Sequence, residues 1–585
     1  MAELSVSKKS IKDLLSNSKA DFLIPDYQRP YAWDAEKECL TLWEDVFLFA
    51  FPDDDVNNFD SKTAEYYLGP IVTFKNDKKQ SEIIDGQQRL TTIMLLLRAF
   101  YSRFEKMKDV QSQKLREMIG KCLWMTDEFE QPDFSQLKID SEVASDKDKD
   151  EFLYILKEGK ATDEMESRYA KNFKFFQKMI DAFIAEYPAY FPYLPSRILN
   201  NCFLLPIEAD QQDTALRIFS TLNNRGKALS DADIFKAEFY KYYSKEGRKD
   251  EFMNRWRRLD EICERNFRPM IGTPMDELFT RYMYYERAKR GNKRSTTEAL
   301  RTFYSANNYA LLKNDETLNN MELLAEFWEN VYNQSEECFS ERVLRRLFVL
   351  NYAPNGMWTY MLSVYFLQNR NKEDENRLDE EKLYDFLCRL TAFIWAYAIT
   401  NPGVNALRTP VYAEMVNLVN GKDVDFADFQ FPRQQTLNQF QNYNFYNGRP
   451  ITRSMLAWWL MKQEDQEIPT LDMTFEVEHI YAKKRNEMEK SLTDKWSVEK
   501  IGNKALLEKK INIRASDYRF SDKIKYYQGI TNKKGETKKA TINCELVYMA
   551  KNCEDFTEQD IKKRTELIIS SFIEYLEQNN LILQE

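Results

Sequence analysis

One histidine in 585 residues is the scarcest feature of this sequence: His479, within 475-FEVEHIYAKK-484. No second imidazole can stand in for it as a base or a metal ligand. The eight cysteines contain no CxxC pair, which excludes a thiolate zinc site and a disulfide framework and leaves them as reduced core residues. Glycine is sparse, 15 residues against a usual share of about 7%, and this tilts the chain toward long helices. No apolar run approaches the ~18 residues of a membrane span, and MAELSVSKKSIKDLL lacks the apolar core of a signal peptide. The expected setting is therefore the cytoplasm, with no membrane partner. A net charge of −10 excludes a uniformly basic coat for nucleic acid.

With 43% hydrophobic and 14% aromatic residues the chain has the material for sizeable cores, and its length suggests roughly three to four domains. The expected class is α+β, predominantly helical. Three regions are expected: 1–245 mixing short strands with helices, 246–460 helical, and 461–585 carrying the histidine.

Three segments stand out in the first region. In 23-LIPDYQRPYAW-33 two prolines impose an extended, loop-like course that presents Tyr27, Gln28 and Arg29. In 68-LGPIVTFKNDKKQSEIIDGQQRLTTIMLLLRAF-100 two β-like runs, Ile71 to Phe74 and Ile83 to Ile84, flank a polar turn and predict a hairpin. Asp85 and Gly86 then lead into a long apolar helix. The unpaired N–H groups of its first turn lie beside Gln87, Gln88 and Arg89, an anion site that Gly86 lets a ligand approach and Arg89 can grip with a bidentate fork. The same stretch also reads as a plain turn and helix start. The third segment, 216-LRIFSTLNNRGKALSDADIFKAEFY-240, predicts a helix, an Asn-Asn-Arg-Gly break exposing Arg225 and Lys227, and Ser230 as the cap of the next helix.

The middle region is expected to be a helical scaffold. In 381-EKLYDFLCRLTAFIWAYAIT-400, Leu383, Phe386, Leu387, Leu390 and Ile394 mark one buried stripe. Its aromatic residues read as core and its acidic stretches as solvated surface.

Near the end, 466-QEIPTLDMTFEVEHI-480 closes on a short β-like run, and 498-VEKIGNKALLEKKINIRASDYRFSDK-523 follows. Between Lys483 and Ala540 there are 17 Lys and Arg against 8 Asp and Glu, either a phosphate-facing surface or an ordinary lysine-rich face. The order acid-His, Asn, Asn is that of an HNH nuclease site. An imidazole takes a proton from water, a carboxylate and an amide oxygen hold a hard divalent cation, and a second amide fixes the loop. In that pattern Glu478 and Asn512 are metal ligands, His479 the general base and Asn503 the orienting residue. The bland alternative is a structural histidine.

At these residues the chain resembles the GmrSD family of modification-dependent, type IV restriction proteins. The N-terminal motifs IPDYQRPYAW, YYLGPIVTF, IIDGQQRLTT and FSTLNNRGKALS are similar to the GmrS-type domain, which has a ParB and sulfiredoxin-like α/β fold. VEHIYAKK and IGNKALLEKKIN are similar to the GmrD-type HNH domain, of ββα-metal fold. The resemblance implies binding and hydrolysis of a nucleoside triphosphate, ATP or GTP, around Asp85, Gly86, Gln87, Gln88 and Arg89, with Gln28 and Arg29 close to the same pocket. It implies cutting or nicking of modified or foreign DNA by Glu478, His479, Asn503 and Asn512 with Mg²⁺ or Mn²⁺, licensed by nucleotide turnover. Two positions depart from the family: Ala482 where proline is common, expected to loosen the loop, and Lys504 where leucine is usual, expected to remove an apolar anchor or add a phosphate contact.

Two readings follow. One is a nucleotide-regulated, metal-dependent DNA endonuclease in antiviral defence. The other is a nucleotide-gated DNA-binding sensor whose HNH-like domain does not cut. Homo-oligomerisation is compatible with both.

Overall fold

The computed structural model describes residues 4–52, 55–59, 65–143, 148–211, 214–215, 218, 230–374, 376–403, 405–516, 519–531 and 537–583. Two compact units divide the chain, Met1–Arg258 and Leu259–Glu585. The structure is mixed and mostly helical, as the composition implies.

Strands of the first unit are β1 (Leu4–Val6), β2 (Lys9–Ser10), β3 (Phe22–Ile24), β4 (Tyr66–Lys75), β5 (Ser81–Asp85), β6 (Trp124–Thr126), β7 (Pro132–Leu137), β8 (Ile139–Ser141) and β9 (Cys202–Ala209). Seven form one sheet in the order β1-β9-β4-β5-β3-β8, with β2 also on β9, while β6 and β7 pair apart. The expected hairpin is β4–β5: antiparallel, with Ile71, Val72 and Ile83 buried. Asn76 shapes its turn, the side-chain oxygen accepting from the N–H groups of Lys78 and Gln80. The other inner neighbours, β4–β9, β3–β5 and β3–β8, are parallel and therefore need long crossovers.

The helix Gln87–Phe104 starts directly after β5 and is buried on nearly every side, with helices Val110–Leu123 and Arg168–Glu186 against it. That is why its apolar residues run on as TTIMLLLRAF instead of forming a stripe. The helix Asp231–Lys245 begins as expected at Ser230, which forms a reciprocal capping box with Asp233. The break around Arg225 and Lys227 lies outside the described residues.

Helices build the first part of the second unit: Pro274–Lys289, Asp315–Tyr332, Glu341–Leu350, Met357–Asn369, Glu380–Thr400, Arg408–Val419 and Pro450–Lys462. The five stripe residues of Glu380–Thr400 are buried, but so are Cys388, Thr391, Ala392, Phe393, Trp395 and Ala396, so this helix is a central one covered on several faces. Toward the C-terminus, β10 (Phe475–His479) pairs antiparallel with β11 (Lys504–Glu508). Helices Lys509–Ala515, Phe520–Gln528, Cys544–Asn552 and Glu558–Gln578 follow, with a short β12 (Ile530–Thr531) and β13 (Thr537–Lys538). Their shared core includes Ile480, Tyr481, Leu507, Ile511, Phe520, Tyr527 and Leu546.

All eight cysteines are free, and five are buried as expected; Cys338 is exposed instead. Among the described residues no helix is long and apolar enough to cross a membrane.

Candidate functional site

In the first unit, Asp85 ends β5 and Gly86, at φ 93°, caps the long helix without a side-chain hydrogen bond. A side chain at Gly86 would be strained by that φ and would press on Ile71 and the Pro70 carbonyl. Gly69, at φ 119°, leaves room for the Arg89 guanidinium, which would sit 2.8 Å from a Cβ there. Arg89 donates to the Pro70 carbonyl at 2.7 Å. Burial raises the Asp85 carboxyl above its ordinary value, opposed by Arg89, the Gly86 N–H and Arg29. Burial also lowers Arg89, with Asp85 opposing.

The structure gathers Gln28, Arg29 and Asp85 to Arg89 in one place, but the amides are engaged with backbone. Gln28 donates to the carbonyls of Ile83 and Ile84 at 3.1 and 3.0 Å. Gln87 donates to Arg29 O, and Gln88 donates to Pro30 O while accepting from Ala32 N at 2.6 Å. These contacts pin the 28–32 loop over the helix start. Tyr27 is buried rather than presented, its hydroxyl donating to Glu82 at 2.7 Å. What remains for an anion is the uncapped helix N-terminus with two guanidinium groups near one carboxylate, a set that fits a phosphate.

In the second unit, adjacent residues on a strand point to opposite faces, and Glu478 and His479 have separate partners. The Glu478 carboxylate is 4% exposed and takes Lys523 Nζ and the Tyr527 hydroxyl, each at 2.7 Å. Lys523 also donates to the His479 carbonyl at 2.6 Å. Burial raises the Glu478 carboxyl, opposed by Lys523, Tyr527 and the His479 N–H. Asn512 sits half-exposed on the helix Lys509–Ala515, which packs on the β10–β11 hairpin.

A divalent cation does not fit Glu478 Oε1 in this arrangement: that oxygen already takes the Lys523 ammonium and the Tyr527 hydroxyl, and the buried lysine charge opposes a second cation beside it, so no step is derived through a metal here.

His479 lies on the other face, opposite Lys504 in the strand register. Lys504 is fully buried, and its ammonium donates to Glu499 Oε2 at 2.7 Å, Asn447 Oδ1 at 2.5 Å and His479 Nε2 at 3.0 Å. Glu499 also holds Lys483 at 2.5 Å and lies 3.7 Å from His479 Nε2. Burial lowers the imidazole below its ordinary value, Glu499 opposes, and Lys504 and Lys483 lower it further, so the ring is neutral near pH 7. Burial alone would raise Glu499, but the nearby His479 ring and the bonds from Lys483 and Lys504 hold its carboxyl far below the usual range. Burial pushes Lys504 down to about 8 against the pull of Glu499.

Fully buried, Asn503 accepts from Tyr481 N at 2.7 Å and donates to the carbonyls of Tyr481 and Val498, both at 3.0 Å, fixing the loop after the histidine. Both family departures behave differently from expectation. Ala482 is buried at φ −65°, the value a proline ring imposes, so the loop keeps its course. Lys504 is neither a lost anchor nor a surface phosphate contact, because Glu499 and Asn447 hold it inside. Motif order does not point to Glu499, Asn447, Lys523 and Tyr527, nor to the inward course of Lys504; alternation along EVEH was the available signal that Glu478 and His479 face apart.

Residues 11–240 match the N-terminal domain of GmrSD restriction endonucleases, and residues 431–571 match the C-terminal domain of the same family. None of the curated proteins matches the chain. With both halves of that architecture present in order, the chain belongs to the GmrSD restriction endonuclease family.

Proposed function

We propose that this protein is a nucleotide-regulated DNA endonuclease of type IV character, cutting or nicking modified or invading DNA. The observation that carries this reading is the setting of His479. A neutral imidazole, the only one in the chain, stands on a hairpin whose following loop is locked by Asn503, within the stretch that matches the family's C-terminal domain. A neutral imidazole can take a proton from water as that water attacks phosphorus. Support for nucleotide regulation comes from the uncapped helix N-terminus at Gly86 with Arg29 and Arg89 beside it. Participation of Mg²⁺ or Mn²⁺ has only the half-exposed Asn512 amide in its favour, since Glu478 is engaged.

The test is nicking of supercoiled plasmid, plain and carrying different base and backbone modifications. It is run with and without ATP or GTP and with Mg²⁺, Mn²⁺ or chelator. Wild type should cut at least one of these DNAs, His479→Ala should not, and Asp85→Ala should lose the response to nucleotide. No cutting under any condition would sink the endonuclease reading.

The second reading, a nucleotide-gated DNA sensor that does not cut, is favoured by the engaged state of Glu478 and of His479 Nε2. It expects His479→Ala to leave cellular protection against phage intact; loss of protection excludes it.

A further inference from the structure

The His479 face of the hairpin contains a buried carboxylate and a buried ammonium to which no role has been assigned. An ammonium has three N–H donors, and Lys504 aims all three at acceptors: a carboxylate, an amide oxygen and a ring nitrogen. The first two suffice to hold it, and Asn447 is itself anchored by donating to the Val477 carbonyl at 3.1 Å. The third contact therefore acts on the histidine more than on the lysine. An N–H aimed at Nε2 requires a lone pair on Nε2, so the neutral ring must carry its proton on Nδ1.

We propose that Lys504 and Glu499 are positioning residues for His479. Lys504 holds the neutral ring as the Nδ1–H tautomer with its lone pair on Nε2, and Glu499 anchors that ammonium and faces the proton Nε2 takes up. The chemistry rests on the endonuclease reading; the tautomer rests on geometry alone. In phosphodiester hydrolysis the Lys504 N–H leaves Nε2 while keeping Glu499 and Asn447, and a water takes its place. The water oxygen bonds to phosphorus, its proton passes to Nε2, the bond from phosphorus to one ester oxygen breaks, and that oxygen takes a proton from solvent. The imidazolium is left with its new N–H near Glu499 Oε2, 3.7 Å from Nε2. A carboxylate there offsets the ring's positive charge, which Lys504 alone would oppose. A wrongly placed ring proton is costly in such a site, because it removes the base while leaving the geometry intact.

Lys483 completes the group. Its side chain is 48% exposed although its ammonium touches the buried Glu499, so it is the member a phosphate oxygen reaches first. The groups facing the ring are Lys504, Glu499 and Lys483, with Lys523 on its carbonyl.

Because the chain has a single histidine, the full-length protein labelled with ¹⁵N-histidine gives one imidazole, and its two nitrogen shifts report the tautomer without assignment. Wild type near pH 7, where the ring is neutral and Lys504 keeps its charge, should show the proton on Nδ1; a proton on Nε2 overturns the proposal. Lys504→Met should remove that preference and, with plasmid DNA, lower kcat about 10²-fold with KM within about threefold. Glu499→Gln should lower kcat by a similar factor, and the double variant Glu499→Gln with Lys504→Met should fold, with neither charge buried alone, yet stay slow. A folded double variant with wild-type kcat and an unchanged tautomer overturns it equally. If wild type cuts no DNA, the endonuclease reading fails while the nitrogen shifts still decide the tautomer.

Discussion

Gln87 with Gln88 in the first unit, and Glu478 with His479 in the second, are adjacent pairs of chemistry-bearing residues held in opposite ways. The glutamine amides bind the main chain of the 29–32 loop, all through neutral hydrogen bonds. Glu478 and His479 are each bound by a buried lysine, on opposite faces of one hairpin. A neutral bond contributes about 1 kcal/mol net and can be exchanged for water or ligand. A buried charge cannot be released without leaving its partner charged and alone. The first site is thus a tethered loop over an open helix end, and the second is built on two closed electrostatic clasps, Lys523 on Glu478 and Lys504 on Glu499, the latter lending one N–H to the neutral imidazole.

The comparison breaks most visibly at His479. His479→Ala should cut DNA nicking by about 10²- to 10⁴-fold, the contribution of a general base, and leave nucleotide hydrolysis unchanged. Gel analysis of plasmid and release of phosphate, measured on the same protein sample, check both halves. Equal loss of the two activities would mean that the sites do not act separately.

Lys523→Met tests whether the clasp on Glu478 is structural. With Lys523 1% exposed, its removal strands a buried carboxylate, and a loss of about 3–5 kcal/mol in urea unfolding is expected. Combining it with Glu478→Gln should recover most of that, since no charge is then left unpaired. A single variant costing under about 1 kcal/mol would show that Glu478 is free to serve as a ligand after all.

Gly86→Ala probes the open helix end. The left-handed backbone and the crowding by Ile71 and Pro70 predict a loss of up to about 3 kcal/mol in the first unit and weaker nucleotide binding. Calorimetric titration with ATP and GTP measures the binding. Unaltered affinity in a folded variant would move the nucleotide site elsewhere.

Local features were legible in the sequence. The β4–β5 hairpin came from two β-like runs around a polar turn, the helix start from Asp-Gly after a strand, and Ser230 from its capping position. Each depends on residues a few positions apart, which periodicity and capping chemistry describe. The parallel pairing of β4 with β9 depends on residues more than a hundred positions apart, and no local pattern encodes it. Nor does one encode Lys523 and Tyr527 on Glu478, 45 and 49 positions away. Glu499 and Lys504 lie only five positions apart, but their pairing shows only once the β10–β11 register puts Lys504 opposite His479.

Glu414 supplies the contrasting case, a buried acid held by no lysine. On the helix Arg408–Val419 and 3% exposed, it accepts from Asn417 Nδ2 at 3.3 Å and faces the N–H groups of Asp425 and Phe426, with no ion pair among the described residues. Burial, helped by Asp425, raises its carboxyl from the ordinary 4.5 to about 6. The folded protein therefore binds this proton more tightly than the unfolded chain. Stability from this group is full below about pH 4.5, falls as pH rises toward about 6, and is absent above it, a change of about 2 kcal/mol at most. Glu414→Gln removes the charge while keeping the shape. The variant should match wild type near pH 4.5 and exceed it by up to about 2 kcal/mol near pH 7.5, as read from urea unfolding at the two values. A difference that does not grow with pH would mean that this acid, like Glu478, has its charge compensated inside the fold.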